Sequence, residues 1–206
     1  VAAQNEVIRE YMQVIESTGQ KCEIVDVSGF ALSNIFELNY GKLPGETVAI
    51  LNIGSQVTNF VAVQNGEVIF CRDIPVGGGT YNAELSKNFG LTLQEAESLK
   101  LSAAKGQEVP EGVSQTLSQV NEQIIDEIRL TLTSQELKLS KAWYTGGGAL
   151  TPGLVDKMSQ AFEIRSETLN PFKRITIGRK LNMGYLQQVA PFISVALGLG
   201  LRQAGD

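Results

Sequence analysis

Three consecutive apolar stretches near the middle of the chain are separated by short polar turn segments, and this pattern of hydrophobic and polar positions predicts three β-strands. The stretches run over residues 47–53, 57–64 and 67–74. Gly54-Ser55-Gln56 separates the first two, and Asn65-Gly66, the pair favoured by a type I′ hairpin, separates the second two. Both faces of the middle stretch carry apolar side chains, so we expect the sheet to be covered on each side. The pattern predicts an antiparallel meander within an α/β fold.

Helical periodicity lies on both sides of the meander. An N-terminal helix places Val7, Tyr11, Val14 and Ile15 on one face and stops at Gly19. Before the meander, the pattern predicts a buried strand over 21–27 and a helix capped by Ser28. After it, the pattern predicts a helix closed by Gly90 and a second helix opened by a Thr92/Glu95 capping box. The remaining predicted elements are a long helix over 113–132, a strand over 142–145, a helix over 152–162 and a last helix over 192–201, opened by Ala190-Pro191. In this last helix, Gly198 and Gly200 are expected to permit close packing against a neighbour.

Three consecutive glycines follow the strand predicted at 142–145. Without Cβ atoms, Gly146, Gly147 and Gly148 let the backbone approach a ligand closely, and the first amides of a following helix are free donors for phosphate. A plain tight turn between a strand and a helix explains the same three glycines. The neighbouring motifs therefore have to decide between a ligand seat and a simple turn.

The bend after the first strand of the meander also has two interpretations. Gly54 and Ser55 either form a simple hairpin bend, or their amides and the Thr58 hydroxyl donate hydrogen bonds to phosphate oxygens. Glu97 and Lys100, three residues apart on a predicted helix, are either an exposed ion pair or a pair of ligand contacts.

Composition excludes several classes of function. The 206-residue chain has a net charge of -5, a pI near 4.9 and no histidine. No segment clusters Lys and Arg as a nucleic-acid binder requires. No apolar run approaches the roughly 18 residues of a membrane helix, so we expect a cytoplasmic protein without direct membrane insertion. Absence of histidine excludes a Ser-His-Asp site and the commonest zinc ligand. Cys22 and Cys71 are expected to be buried thiols.

Four separated strings together resemble the actin, Hsp70 and sugar-kinase superfamily of ATPases. They are ILNIGSQVTN at 50–59, similar to the second phosphate loop; AESLK at 96–100, similar to the helix whose Glu and Lys reach the ribose and base; TGGG at 145–148, similar to the adenosine motif; and 190–202, similar to the second connecting helix. Within the superfamily the chain most resembles the PilM family of type IV pilus assembly, relatives of the division protein FtsA, through VDV at 25–27, FAL at 30–32, NIG at 52–54, VTN at 57–59, RDIP at 72–75 and ALG at 196–198. The resemblance implies an actin-like ATPase (RNase H-like) lobe, in which a mixed sheet is flanked by helices and carries a small helical insertion subdomain.

The resemblance also implies a ligand, partners and a domain division. It places ATP with magnesium between two lobes of the intact protein, contacted here by Asn52, Gly54, Ser55, Thr58, Glu97, Lys100, Gly146, Gly147 and Gly148. It implies binding of the cytoplasmic N-terminal tail of PilN, within a pilus assembly complex at the inner membrane. Residues 1–40 would be the end of the first lobe and a connecting helix, and residues 46–206 would be the second lobe, with the insertion at about 78–112.

Two departures from the superfamily pattern lower the magnesium binding, nucleotide binding and ATP hydrolysis that we expect. Asn52 stands where the superfamily carries an Asp that holds a magnesium-bound water, and a neutral amide is a weaker ligand for a hard cation. The first phosphate loop belongs before Val1, which indicates a fragment of a longer protein whose single cleft wall binds nucleotide weakly. We therefore expect a non-catalytic scaffold, at most a weak ATPase in the intact parent, with no cofactor held by this fragment.

Two alternatives to the scaffold stay open at this stage. One is a phosphoryl-transfer enzyme of the same superfold, of the sugar kinase or polyphosphate phosphatase type, for which Asp73 is the nearest candidate carboxylate. The other is an oligomerising module, because actin-like chains can form filaments; the sequence does not decide whether the chain self-associates.

Overall fold

A five-stranded mixed sheet forms the centre of the structure, a computed structural model that describes residues 3–203. Its strands are β1 (Thr47–Ile53), β2 (Thr58–Gln64), β3 (Glu67–Ile74), β4 (Lys141–Thr145) and β5 (Arg165–Thr168), in the spatial order β3-β2-β1-β4-β5. The first three pair antiparallel, β4 runs parallel to β1, and β5 runs parallel to β4. The predicted meander is confirmed, and its first strand joins it to the parallel half of the sheet.

Helices cover both faces of this sheet. The helices of the described chain are α1 (Asn5–Ser17), α2 (Ser28–Tyr40), α3 (Gly78–Phe89), α4 (Leu93–Ala104), α5 (Val113–Ser134), α6 (Leu154–Phe162) and α7 (Met183–Leu199), with a 3-10 helix (Gly147–Leu150) between β4 and α6. Alternate side chains of β1 enter two cores: Ala49 and Leu51 join the core that contains α5 and α6, and Val48 and Ile50 join the core that contains α2. The sheet is thus covered on each side, as its apolar faces predict.

The local turn and cap chemistry of the sequence is reproduced in the structure. Asn65 and Gly66 have φ values of 54° and 85°, both positive as a type I′ turn requires. α3 ends at Gly90 in the left-handed region, and α4 begins with the predicted capping box between Thr92 and Glu95. The pair α3 and α4 lies within the range predicted as a helical insertion, while the lobe boundaries themselves stay a prediction.

The strand predicted over residues 21–27 is wrong. These residues pair with no strand of the sheet in the described chain, and Val25 is 58% exposed. Their apolar alternation reflects partial burial along a connecting segment. The predicted Ser28 cap is wrong as well: Val27 is the N-cap of α2, and its amide donates to Asp26 Oδ1 at 2.8 Å.

The last helix begins earlier than the sequence predicts. α7 starts at Met183, with the Asn182 side chain accepting from the Tyr185 amide at 3.1 Å, and Pro191 lies inside the helix. The prediction placed the start at Pro191 because proline favours the first turn of a helix. The two turns before Pro191 are largely exposed, and the preference of proline for a helix start outweighed the apolar residues among them in the prediction.

The amphipathic helix α1 forms where its period predicts, but its apolar face is solvent-exposed. Val7, Tyr11, Val14 and Ile15 are all exposed, and none of the helix's residues is buried. Among residues 3–203, no helix combines the length and apolarity needed to cross a bilayer.

Candidate functional site

A cleft opens at the carboxyl ends of the parallel strands β1 and β4, the usual position of ligand sites in sheets with parallel strands. Its volume is about 530 Å³, within the range of small-molecule sites. Eight of the nine predicted site residues line it: Asn52, Gly54, Ser55, Glu97, Lys100, Gly146, Gly147 and Gly148. Three chain segments far apart in sequence therefore meet at one place.

The turn between β1 and β2 forms one side of the cleft, and the start of α3 packs directly on it. The amides of Gly78 and Gly79 donate to the carbonyls of Gly54 and Ser55 at 2.7 and 2.6 Å. The first amides of α3 are therefore engaged by the protein itself. The Gly54 amide is engaged within the turn, whereas those of Ser55 and Gln56 donate to no other residue in the described chain. These two amides are the donors this turn can offer to an anion.

The glycine turn after β4 lies beside the β1–β2 turn in the wall of the cleft, and at Gly146 and Gly148 it admits only glycine. Gly146 has φ 86°, and a Cβ there would lie 2.4 Å from the Ile53 carbonyl oxygen. A Cβ on Gly148 would meet the Ile53 side chain at 2.4 Å, and one on Gly147 would meet the Phe192 ring at 2.7 Å. The turn is therefore pressed against the end of β1, and it continues as a 3-10 helix rather than directly as α6.

An ion pair stands at the rim that α4 contributes. Lys100 is buried, and its Nζ donates to Glu97 Oε2 at 2.6 Å and to the Gly78 carbonyl at 3.2 Å. Asn82 Nδ2 donates to the same Glu97 oxygen. Burial raises the pKa of Glu97, but the hydrogen bonds from Lys100 and Asn82 together outweigh it, so this pKa lies below its ordinary value. The pair is thus anchored to α3 and is more than an exposed i,i+3 contact.

Thr58 is the predicted residue that the structure keeps away from the cleft. Its side chain is fully buried, and its hydroxyl donates to the Val76 carbonyl at 2.7 Å. It therefore ties the start of β2 to the segment after β3. In this arrangement its hydroxyl hydrogen is not available to a phosphate, contrary to the expectation from the sequence.

Asn52 is the cleft residue whose side-chain oxygen could interact with a metal ion or its bound water. No cluster of three or more His, Cys, Asp or Glu residues suited to a metal exists among residues 3–203. Asn52 Oδ1 is a neutral acceptor beside Gly146, which fits a hydrogen bond from water in a cation's shell better than direct ligation. The donor set thus fits a magnesium ion that arrives hydrated and bound to phosphate, and it does not fit an all-protein cage.

Residues of α7 complete the cleft, and sequence reasoning did not assign them to it. The Pro191 carbonyl accepts from the Gly146 amide at 2.8 Å and from Thr145 Oγ1 at 3.1 Å, and Ser194 Oγ lies 2.7 Å from Thr145 Oγ1. Phe192 is exposed at the cleft edge. The Ala190-Pro191 string was the available signal, but it was interpreted as a helix start.

A larger cavity of about 830 Å³ lies elsewhere, beside α4. Phe89, Leu91 and Leu99 line much of it, and its one charged residue, Glu95, is engaged in the capping box. It has no glycine turn and no strand end. We therefore regard the cleft at the ends of β1 and β4 as the functional site.

Known proteins with this fold define the class as actin-like. The chain superposes on the protein in a structure described as "PilM-PilN type IV pilus biogenesis complex" with a TM-score of 0.86 and 22% identity, over 99% of this chain and 60% of that one. MreB5 of Spiroplasma citri bound to ADP gives a TM-score of 0.68 at 13% identity, over 97% of this chain and 65% of that one. The fold prediction of a mixed sheet flanked by helices in an actin-like lobe is confirmed.

The chain belongs to the family described as Type IV pilus assembly protein PilM, whose sequence model matches residues 1–204. A further relative is the ethanolamine utilization protein EutJ of Escherichia coli (strain K12), 24% identical over 151 residues, which are 73% of this chain and 49% of that protein. The chain therefore spans between about half and two thirds of the length of these relatives.

Proposed function

We propose that this chain is the nucleotide-binding part of a PilM-like scaffold for type IV pilus assembly, and that its cleft binds an adenine nucleotide without catalysing its hydrolysis. The observation that carries the proposal is the convergence of two glycine turns and the Glu97–Lys100 pair on one cleft, in a chain of the PilM family. A protein that shares this fold, MreB5, has ADP in its structure.

The two turns would contact different parts of the nucleotide. The free amides of Ser55 and Gln56 would face phosphate oxygens, because backbone N–H groups hold anions without basic side chains. The Gly146 to Gly148 turn would pass beneath the adenosine. Glu97 would accept hydrogen bonds from the ribose hydroxyls at the rim.

The absence of an available base supports a binding role over a catalytic one. Glu97 is the one acidic residue lining this cleft among the described residues, and it is already bonded to Lys100 and Asn82. Phosphoryl transfer to an acceptor needs a carboxylate placed on the acceptor's oxygen. Asp73, the candidate from the sequence, does not line the cleft. This arrangement supports the binding role over the sugar kinase and phosphatase alternatives.

The partner we propose is the cytoplasmic N-terminal tail of a PilN-like inner-membrane protein. The structural relative was solved in a PilM-PilN complex, and the family resemblance places that contact on the first lobe. A scaffold that holds such a tail works on the cytoplasmic side of the inner membrane. We propose that the tail binds the intact protein and that this chain by itself supplies one wall of the nucleotide-binding cleft.

Calorimetry with ATP and magnesium tests the binding proposal, and we expect affinity weaker than micromolar for this chain. Ser55→Asp adds a negative charge beside the free amides and should lower ATP affinity about tenfold while changing adenosine affinity little. Gln64→Glu adds the same charge at the opposite end of β2 and is the control. Equal affinities in the two variants, or no ATP binding, would contradict a phosphate site at this turn.

A pulldown tests the partner. Immobilised PilN tail peptide should retain the longer PilM-like protein, with ATP present, more strongly than it retains this chain. Equal retention of the two would contradict the assignment of the contact to the first lobe.

A further inference from the structure

Three polar side chains stand directly opposite one another on β1, β2 and β3. Asn52 pairs with Asn59, and Asn59 pairs with Asp73, so the three project from the same face of the sheet. Asn52 Nδ2 donates to Asn59 Oδ1 at 2.8 Å, and Asn59 Nδ2 donates to Asp73 Oδ1 at 2.7 Å. This polar row begins at the exposed edge strand β3 and ends at the cleft.

The chemistry of Asp73 sets the direction of both hydrogen bonds in the polar row. A carboxylate accepts hydrogen bonds and donates none, so the amide nitrogen of Asn59 must face it. The carbonyl oxygen of Asn59 then faces β1, where only the amide nitrogen of Asn52 can donate to it. Asn52 therefore keeps its nitrogen on the β2 side and presents its oxygen in the other direction.

That oxygen is the free end of the polar row. It lies beside the glycine turn, where a Cβ on Gly146 would come within 2.7 Å of it, and Asn52 lines the cleft. Asn52 Oδ1 accepts no hydrogen bond from the part of the chain that the structure describes. A free acceptor at this point suits a ligand that offers only donors, and water bound to a cation offers its hydrogens outward.

We propose that Asp73, acting through Asn59, holds the oxygen of Asn52 toward the cleft as the acceptor for a water of a magnesium–nucleotide complex. The inference rests on the proposed function, because it requires the nucleotide to bind. Asp73 and Asn59 are positioning residues, since neither lines the cleft. If both hydrogen bonds of the polar row ran in the other direction, the NH₂ group of Asn52 would face the same water. Two hydrogen-bond donors would then face each other.

The test replaces the acceptor at the end of the polar row with a donor. In Asp73→Lys the ammonium donates to the Asn59 oxygen, the Asn59 nitrogen turns toward β1, and Asn52 must accept, which leaves its nitrogen facing the cleft. Calorimetry gives the ratio of ATP affinities with magnesium and with EDTA. We expect this ratio to fall about three- to tenfold in Asp73→Lys, because one hydrogen bond is lost. The ATP affinity measured in EDTA should change little.

A control variant and a rescue variant distinguish a change in the orientation of Asn52 from a general structural effect. Glu67→Lys makes the same charge change at the other end of β3 and should leave the ratio unchanged. Adding Asn59→Asp to Asp73→Lys places a carboxylate at the centre of the row, which accepts from both neighbours and restores the orientation of Asn52. We expect the double variant to regain the wild-type ratio. A ratio that Asp73→Lys leaves unchanged, or that Asn59→Asp does not restore, overturns the proposal.

An NMR measurement on the ligand-free chain separates failure of this inference from failure of the proposed function. Couplings across hydrogen bonds should join Asn52 Nδ2 to Asn59 Cγ in the wild type and Asn59 Nδ2 to Asn52 Cγ in Asp73→Lys. If these couplings do not exchange, the positioning role is refuted even where ATP binds. If they exchange but the wild-type chain binds no ATP, the proposed function fails and the assignment to magnesium-bound water fails with it.

Discussion

The crossing of α2 and α7 depends on Gly198, and this makes a sharp prediction. A Cβ at Gly198 would lie 1.9 Å from the Ala31 carbonyl oxygen, 2.5 Å from its carbonyl carbon and 3.0 Å from its Cα. These are backbone atoms, so no change of rotamer relieves the overlap. We predict that Gly198→Ala forces the two helices apart and destabilises the chain.

The magnitude follows from the overlap. Ordinary van der Waals contact begins near 3.4 Å, so the Cβ must move by 3.4 − 1.9, about 1.5 Å, from the Ala31 oxygen. Overpacking costs about 1–3 kcal/mol, and the better helix propensity of alanine offsets up to about 1 kcal/mol. We expect a net loss of about 2 kcal/mol and, for a chain of this size, a fall in Tm of about 4–8 °C.

Urea and thermal unfolding followed by circular dichroism measure this change, and Gly200→Ala is the matched control. A Cβ at Gly200 would meet its nearest atoms at 3.5 Å, in ordinary contact, so this variant should be as stable as the wild type or slightly more stable. Because α7 carries Pro191 and Phe192 to the cleft, Gly198→Ala should also weaken nucleotide binding. Wild-type stability in Gly198→Ala would refute the backbone contact on which the reasoning depends.

Three further changes test the cleft and its support. Gly146→Ala, at positive φ and with its Cβ 2.4 Å from a carbonyl oxygen, should cost about 1–3 kcal/mol in urea unfolding and abolish nucleotide binding in calorimetry; full binding would contradict the close approach. Tyr81→Phe removes the hydroxyl that donates to Asn121 Oδ1 at 2.6 Å in the core, and the loss of about 1–2 kcal/mol should appear as a lower urea midpoint. The low pKa of Glu97 stabilises the fold above the ordinary glutamate pKa of about 4.3, and this contribution is lost as pH falls through the lower folded-state pKa. Acid titrations of stability should therefore fall less steeply below about pH 4.3 in Glu97→Gln than in the wild type, and parallel curves would refute the Lys100 pairing.

The parts of the fold that short-range chemistry determines could be predicted from the sequence. The Asn65-Gly66 turn and the Thr92/Glu95 capping box each need only a few neighbouring residues, and both form as expected. The strand wrongly predicted at 21–27 and the unpredicted strand β5 depend instead on long-range contacts. Whether an extended segment pairs depends on which strand lies beside it, and β5 has four mostly polar residues whose alternation is too short to recognise.

For the cleft, the sequence indicated which segments meet but not which groups remain free. Gly77 to Gly79 are packed on the β1–β2 turn, where a Cβ on Gly77 would lie 2.5 Å from the Gly54 oxygen. Thr58 donates to a carbonyl brought near it only by the folding of β3. The roles of Asn59 and Asp73 follow from strand register, which relates residues 14 positions apart. Such pairings have no signature in a single sequence.

The charge balance of the cleft supports the proposal that this wall alone binds nucleotide weakly. Its charged side chains in the described chain, Glu97 and Lys100, neutralise each other at 2.6 Å, so the phosphates of a nucleotide meet amide dipoles here and no net positive charge. Amide donors orient phosphates, but neutralising several negative charges requires cations. Under the proposed function, the remaining charge would come from magnesium and from a surface facing the cleft. Nucleotide affinity would then report how closely the two walls approach, which is the property a scaffold needs if nucleotide is to control its shape.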